Sequence, residues 1–204
     1  MPYLTLGQAF DEMWDLSRDH AKRRADFEAL VHHCMEQAAA GEPCLLYDSP
    51  DYPMAKFVCA LQDDAYAPAL AQVFSAFVRH GLLDPNKPLE LTRECPDHYG
   101  RLTGDLPLVP AVLKGNIHAA ELLVLHGADT SYRVSDNVCG FLGEDFFDFV
   151  RLHFGETHFL RPKPEQRAAA AARLVEASMK WRIANTNAAA ASDNPASRRR
   201  QRVV

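Results

Sequence analysis

Apolar and polar positions alternate with a helical period through most of the chain. Thr5-Leu6-Gly7-Gln8 has the T-x-x-Q form of a capping box, and Phe10, Met13, Trp14 and Leu16 follow at near-helical spacing. A second helix is predicted from about Ala21 to Ala40, with Phe27, Leu30, Val31 and Cys34 on one face, and Gly41 supplies its stop. Pro43, Pro50 and Pro53 punctuate a loop from Glu42 to Pro53. Two further runs, PMAKFVCALQDD and APALAQVFSAFVRHGLLDPN, separate near Asp63 to Pro68. The second of them places Leu70, Val73, Phe74 and Phe77 on one side and ends at His80-Gly81. Lys87 to Gly104 is too rich in turn residues for a long helix and predicts a hairpin-like excursion.

From Leu106 to Ser131 the chain reads LPLVPAVLKGNIHAAELLVLHGADTS, two short apolar helices broken at Gly115-Asn116 and closed by Gly127-Ala128-Asp129. CGFLGEDFFDFVRLHFG then predicts an aromatic-rich helix near Leu142 to Phe154. Pro164 suits the first turn of a last helix ending near Ala184, because proline's missing amide costs nothing there. Residues 185–204 have almost no large apolar side chains to offset the entropy of ordering, so a disordered Ala/Ser/Arg tail is expected after a 1–184 domain. The organisation is four helix pairs, which places the chain in the all-α class.

The stretch 106–131 resembles an ankyrin repeat, a 33-residue unit of a β-turn and two helices that carries T-P-L-H-x-A. Leu106-Pro107-Leu108-Val109-Pro110-Ala111 stands at that motif, and Lys114-Gly115-Asn116 stands at the break between helices. Glu121-Leu122-Leu123 matches the second helix, and His126-Gly127-Ala128-Asp129 matches the terminal turn, with no gap from Pro107 to Asp129. Pro107 pre-sets φ where a helix begins, Ala111 and Ala119 let two helices approach, and Gly127 suits the left-handed position that ends the second helix. Leu106 and Val109 depart from the family's Thr and His, so packing must replace the polar link those two make.

With its flanking turns the clear repeat covers 101–133. A weaker copy over about 53–86 starts at Pro53-Met54 and ends at Arg79-His80-Gly81-Leu82-Leu83-Asp84-Pro85-Asn86, with an eight-residue expansion. The first and last helix pairs match nothing residue by residue and suit divergent caps. The resemblance implies an ankyrin-like helical solenoid of about four stacked helix pairs, with atypical caps and an enlarged hairpin-like loop.

Composition changes this picture little. A chain of 204 residues, 48% hydrophobic and 24% charged, suits one domain or at most two small ones. The net charge of −5 argues against nucleic acid as the main partner of the folded part, since four arginines (Arg198, Arg199, Arg200, Arg202) cluster in the tail. Five scattered cysteines without a C-x-x-C pair fit thiols in a reducing cytosol. The N-terminus lacks a basic and then apolar leader, and no run of about eighteen apolar residues exists. A cytoplasmic protein with no membrane association is expected, with secretion that needs no such leader left open.

Candidate chemistry is sparse. His32-His33-Cys34 are adjacent on a helix and point apart, so they cannot converge on one metal. His153 and His158 have no cysteine or acid at ligand spacing. Glu144, Asp145 and Asp148 fit the solvent-facing start of a helix, where negative charge is favoured. Neither a G-x-S-x-G, a Walker-type nor a G-x-G-x-x-G sequence is present, and Ser17, Ser49 and Ser75 lack a recognisable triad context. Neither a catalytic residue, a cofactor nor a metal is expected.

What the resemblance implies is a non-catalytic module that binds another protein through its concave and turn face. The contact residues expected on the turns entering repeats are Tyr99, Arg101, Thr103 and Asp105, then Tyr132, Arg133, Asp136 and Asn137. Tyrosine and arginine are favoured because they dominate interface energetics. The alanine-rich chain suits a bacterial regulatory, immunity or effector-type protein. Two other classes stay open: an enzyme with an unrecognised site around His118 and His126 or near Asp145, and a nucleic-acid binder using Ser197 to Arg202.

Overall fold

The computed structural model describes residues 20–40, 67–81, 83–88, 106–131, 145–156 and 161–192. They form six α-helices: α1 (His20–Ala40), α2 (Ala67–Arg79), α3 (Leu108–Leu113), α4 (Ile117–Leu125), α5 (Phe146–His153) and α6 (Pro164–Ser192). No strand occurs among the described residues, whose regular structure is all α-helix. The helix expected near Phe10 to Leu16, the run beginning at Pro53 and most of the hairpin-like excursion lie outside the described residues.

Local chemistry accounts for the helix ends. Pro107 occupies the N-cap of α3 at φ −52°, and Pro110 falls in the first turn, where its missing amide leaves no bond unmade. Asn116 starts α4, its buried side chain accepting from the Ala119 amide at 3.1 Å. Asp145 does the same for α5, accepting from the Phe147 amide at 2.9 Å. Pro164 is the first residue of α6. At the end of α4, Gly127 adopts φ +87°, a left-handed conformation that L side chains resist. It also lies against α6, where a Cβ would sit 3.0 Å from Trp181 Nε1.

The helices pack as a ladder. α1 lies on α2, α2 on α4, and α4 on α6, so the second helices of the expected pairs form one row. α3 packs on α4 and also on α5, while α5 packs on α6. The ends of α3 and α5 meet backbone to backbone. The Gly155 amide donates to the Val112 carbonyl at 2.8 Å, and a Cβ on Gly115 would lie 3.1 Å from Gly155 Cα. At that separation a side chain would be tighter than ordinary contact, and the facing backbone would have to give by a few tenths of an ångström.

One continuous core runs through the ladder. Leu30 and Cys34 of α1 meet Val73, Phe74 and Phe77 of α2, and the core continues through Leu123 and Val124 to Phe146, Phe149, Leu174 and Ala177. Each such aromatic or leucine contributes about 1.5–3 kcal/mol on burial. Ala111, Ala119 and Ala120 are buried where α3 crosses α4, and their small size permits that close crossing. Leu106 and Val109 are buried too, Leu106 just ahead of α3 and Val109 within it.

The last helix corrects one expectation. α6 continues eight residues past Ala184, so 185–192 are helical where a disordered tail was expected. Ala188 to Ala191 explain it, because alanine favours helix without needing an apolar face. Residues 193–204, with Arg198, Arg199, Arg200 and Arg202, lie outside the described residues.

Candidate functional site

The ladder sets the ends of α2 and α4 side by side, and the two ends are built alike. Each closes with His-Gly, at His80-Gly81 and His126-Gly127, and each glycine has positive φ. Each then enters a turn fixed by an aspartate two residues ahead of a polar partner. Asp84 Oδ1 accepts from the Asn86 amide at 2.8 Å. Asp129 Oδ1 accepts from the Ser131 amide at 2.8 Å and from the Ser131 hydroxyl at 2.6 Å.

Asn86 ties the two turns together. Its side-chain amide donates to the Gly127 carbonyl at 2.9 Å, and its oxygen accepts from the Asp129 amide at 2.7 Å. The tips are exposed, so this clamp holds two neighbouring turns in fixed register at the surface. Sequence reasoning missed Asn86. The repeated Asp-x-Asn and Asp-x-Ser spacing after each His-Gly is the signal that could have found the turns.

A second polar contact lies beneath them. Ser75 Oγ of α2 and His126 Nε2 stand 2.8 Å apart, and the imidazole meets the Phe74 ring edge-on with centroids 5.6 Å apart. Burial between the helices, helped by the positive charge of Arg79, holds His126 below the ordinary histidine pKa. The neutral ring can therefore accept the Ser75 proton. Because the folded pKa is depressed, the stabilisation is complete above the unfolded value of about 6.5 and fades as pH falls below it. His126→Gln should flatten the loss of stability between pH 7.5 and pH 5 seen in denaturant titrations. A wild-type slope reproduced in the variant would contradict this.

α4 and α6 are joined by Arg173, whose Nε donates to Glu121 Oε2 at 2.8 Å while its Nη2 lies 3.3 Å from His118 Nδ1. His118 thus engages α6 and His126 engages α2, so the two histidines serve different seams. Near Asp145, that residue caps α5 and Asp148 pairs with Arg151. In α1, Cys34 is buried, His32 is exposed beside Glu36 and His33 is half-buried. Among the described residues, neither a group of three or more metal-binding side chains occurs nor a helix long and apolar enough to cross a membrane.

The eight expected contact residues, Tyr99, Arg101, Thr103, Asp105, Tyr132, Arg133, Asp136 and Asn137, lie outside the described residues. What is described is the frame that carries them: Leu106 is buried where the first set leads into α3, and Ser131 is exposed where the second set begins. Compared with known proteins, the chain matches no family model, no curated protein sequence and no solved structure.

Proposed function

We propose that the chain is a non-catalytic protein-recognition module of ankyrin type, serving as a bacterial regulatory, immunity or effector-type protein. It docks its partner through the turns at the ends of stacked helix pairs. The observation that carries this reading is the Asn86 clamp, which makes two successive turns one rigid surface element. Rigid turns bind well because little ordering entropy is lost on docking. The ladder of α3–α4 and α5–α6, with second helices in one row, supports the solenoid part of the reading.

α3 is buried along its whole length, so the docking surface is assigned to the turns and not to the first helix of the clear repeat. Arg101 and Arg133 flank that repeat and are placed here as its charged contacts. Exchanging both for glutamate should abolish capture of the partner identified by affinity purification and mass spectrometry, leaving the circular dichroism spectrum intact. Asn86→Ala should weaken the same capture by about tenfold, the equivalent of 1.4 kcal/mol. Full capture by the double variant would move the site off these turns.

A further inference from the structure

We propose that the seam between α2 and α4 is a pH-sensitive joint, which opens when His126 takes up a proton and lets the turn after α2 part from the turn after α4. Opening would split the surface to which partner docking is assigned. That consequence rests on the function proposed above; the joint itself does not.

The seam is the place where the ladder parts most easily. Among the described helices, α2 meets α4 over a narrower face than α1 meets α2 or α4 meets α6. His126 and Asn86 bridge it. The imidazole Nε2 stands 2.8 Å from Ser75 Oγ and the ring lies edge-on to Phe74, while Asn86 bonds the Gly127 carbonyl and the Asp129 amide. His126 and Gly127 are neighbours in the chain, so the titrating ring and the clamp share one point of attachment.

The surroundings of the ring oppose a second positive charge. Arg79 lies one turn of α2 beyond Ser75, and its Nε donates to the Ser75 carbonyl at 3.2 Å, which keeps the guanidinium beside the seam. His80, next along α2, is exposed, and α3 carries no titratable side chain. On α6, Arg173 engages Glu121 and His118, Lys180 pairs with Glu176, and Trp181 lies against Gly127. In the turns, Asp84 and Asp129 each accept from an amide of their own turn. At the end of α4 the carbonyls of Leu122, Leu123 and Val124 accept from the amides of His126, Gly127 and Ala128, which blunts the attraction of a helix C-terminus for a cation.

A protonated ring can still donate to Ser75 Oγ, because the hydroxyl can turn to accept. What closure then has to bear is the burial of the charge and the nearness of Arg79, which hold His126 below the ordinary histidine pKa in the closed joint. In the open joint the ring titrates near the ordinary value of about 6.5. The closed form is therefore fully favoured above that pH and loses ground below it, by up to about tenfold per pH unit.

Hydrogen exchange of the full chain, followed by NMR from about pH 7.5 to about pH 5.5 and corrected for intrinsic rates, reads the joint at one amide. The Asp129 amide is bonded to Asn86 across the seam, whereas the Ala119 amide is bonded to Asn116 within α4. Asp129 protection should fall by up to about tenfold at the lower pH. It should stay below that of Ala119 and respond weakly to added urea, the mark of local opening, while Ala119 follows global unfolding. His126→Gln should hold Asp129 protection constant with pH, and Arg79→Gln, at an exposed position, should shrink the fall. Protection that is independent of pH in the wild type would overturn the proposal. So would a fall that neither exchange reduces, or an Asp129 amide that tracks Ala119 in rate and urea dependence. A joint that opens as described while partner capture persists at the lower pH would bear out the joint and count against the turns as the docking surface.

Discussion

Phe149→Ala is expected to cost about 3–5 kcal/mol of stability, the range for emptying a fully enclosed aromatic site. Phe149 has no exposed surface and lies in α5, the short helix that meets both α3 and α6. Its ring sits 5.3 Å from the His153 ring and belongs to the same core cluster as Phe146 and Val150. Alanine would leave a cavity that a six-residue α3 and an eight-residue α5, each fixed at both ends, can only partly refill. For a chain of this length the midpoint of thermal unfolding should fall by roughly 6–20 °C. A fall of a degree or two would mean that α5 does not hold the two hairpins together.

Gly155→Ala should be nearly as damaging, although it adds a single methyl group. Gly155 has φ +71°, which costs an L residue about 1–2 kcal/mol. The new Cβ would stand 2.5 Å from Pro162 Cγ and 2.6 Å from its Cδ, closer than carbon atoms approach. Pro162 is a ring with no alternative rotamer to swing into, so the backbone must shift. That shift strains the bond from the Gly155 amide to the Val112 carbonyl, which joins α5 to α3. Overpacking adds about 1–3 kcal/mol, for a total of about 2–5 kcal/mol measured by urea denaturation. Gly81→Ala is the control. It carries the same φ of +71° but nothing lies within 4 Å of its added Cβ, so only the conformational part should appear.

The parts of this fold that are readable in the sequence are those fixed by neighbours along the chain. Pro107, the Gly115-Asn116 break and the His126-Gly127 ending each act within one turn of helix, and each does in the structure what its chemistry suggests. Asp145 likewise caps the helix it precedes. The extension of α6 to Ser192 is not readable from apolar periodicity, because Ala188, Ala189 and Ala190 are exposed. Propensity holds the helix there, and a search for amphipathic faces passes over it.

The surface contacts are hidden for a different reason. The bond from Asn86 to Asp129 spans 43 residues, that from Ser75 to His126 spans 51, and that from Arg173 to Glu121 spans 52. Nothing local marks these side chains as partners; only the stacking of one pair on the next brings them together. Ser75 illustrates it, since its sequence context offers no histidine and the structure supplies one from another helix. Of the candidate docking site, the turn frame is described and the eight expected contact residues are not.

The α3–α4 and α5–α6 pairs lie side by side, and Gly115 meets Gly155 at the seam between them. A nuclear Overhauser experiment on the full chain tests it directly. Stacked pairs require strong through-space contacts between the α protons of Gly115 and Gly155, forty residues apart, together with contacts from the Gly155 amide to the end of α3. Spectra in which Gly115 sees only its own hairpin would contradict the stacked arrangement and, with it, the turn surface built upon it.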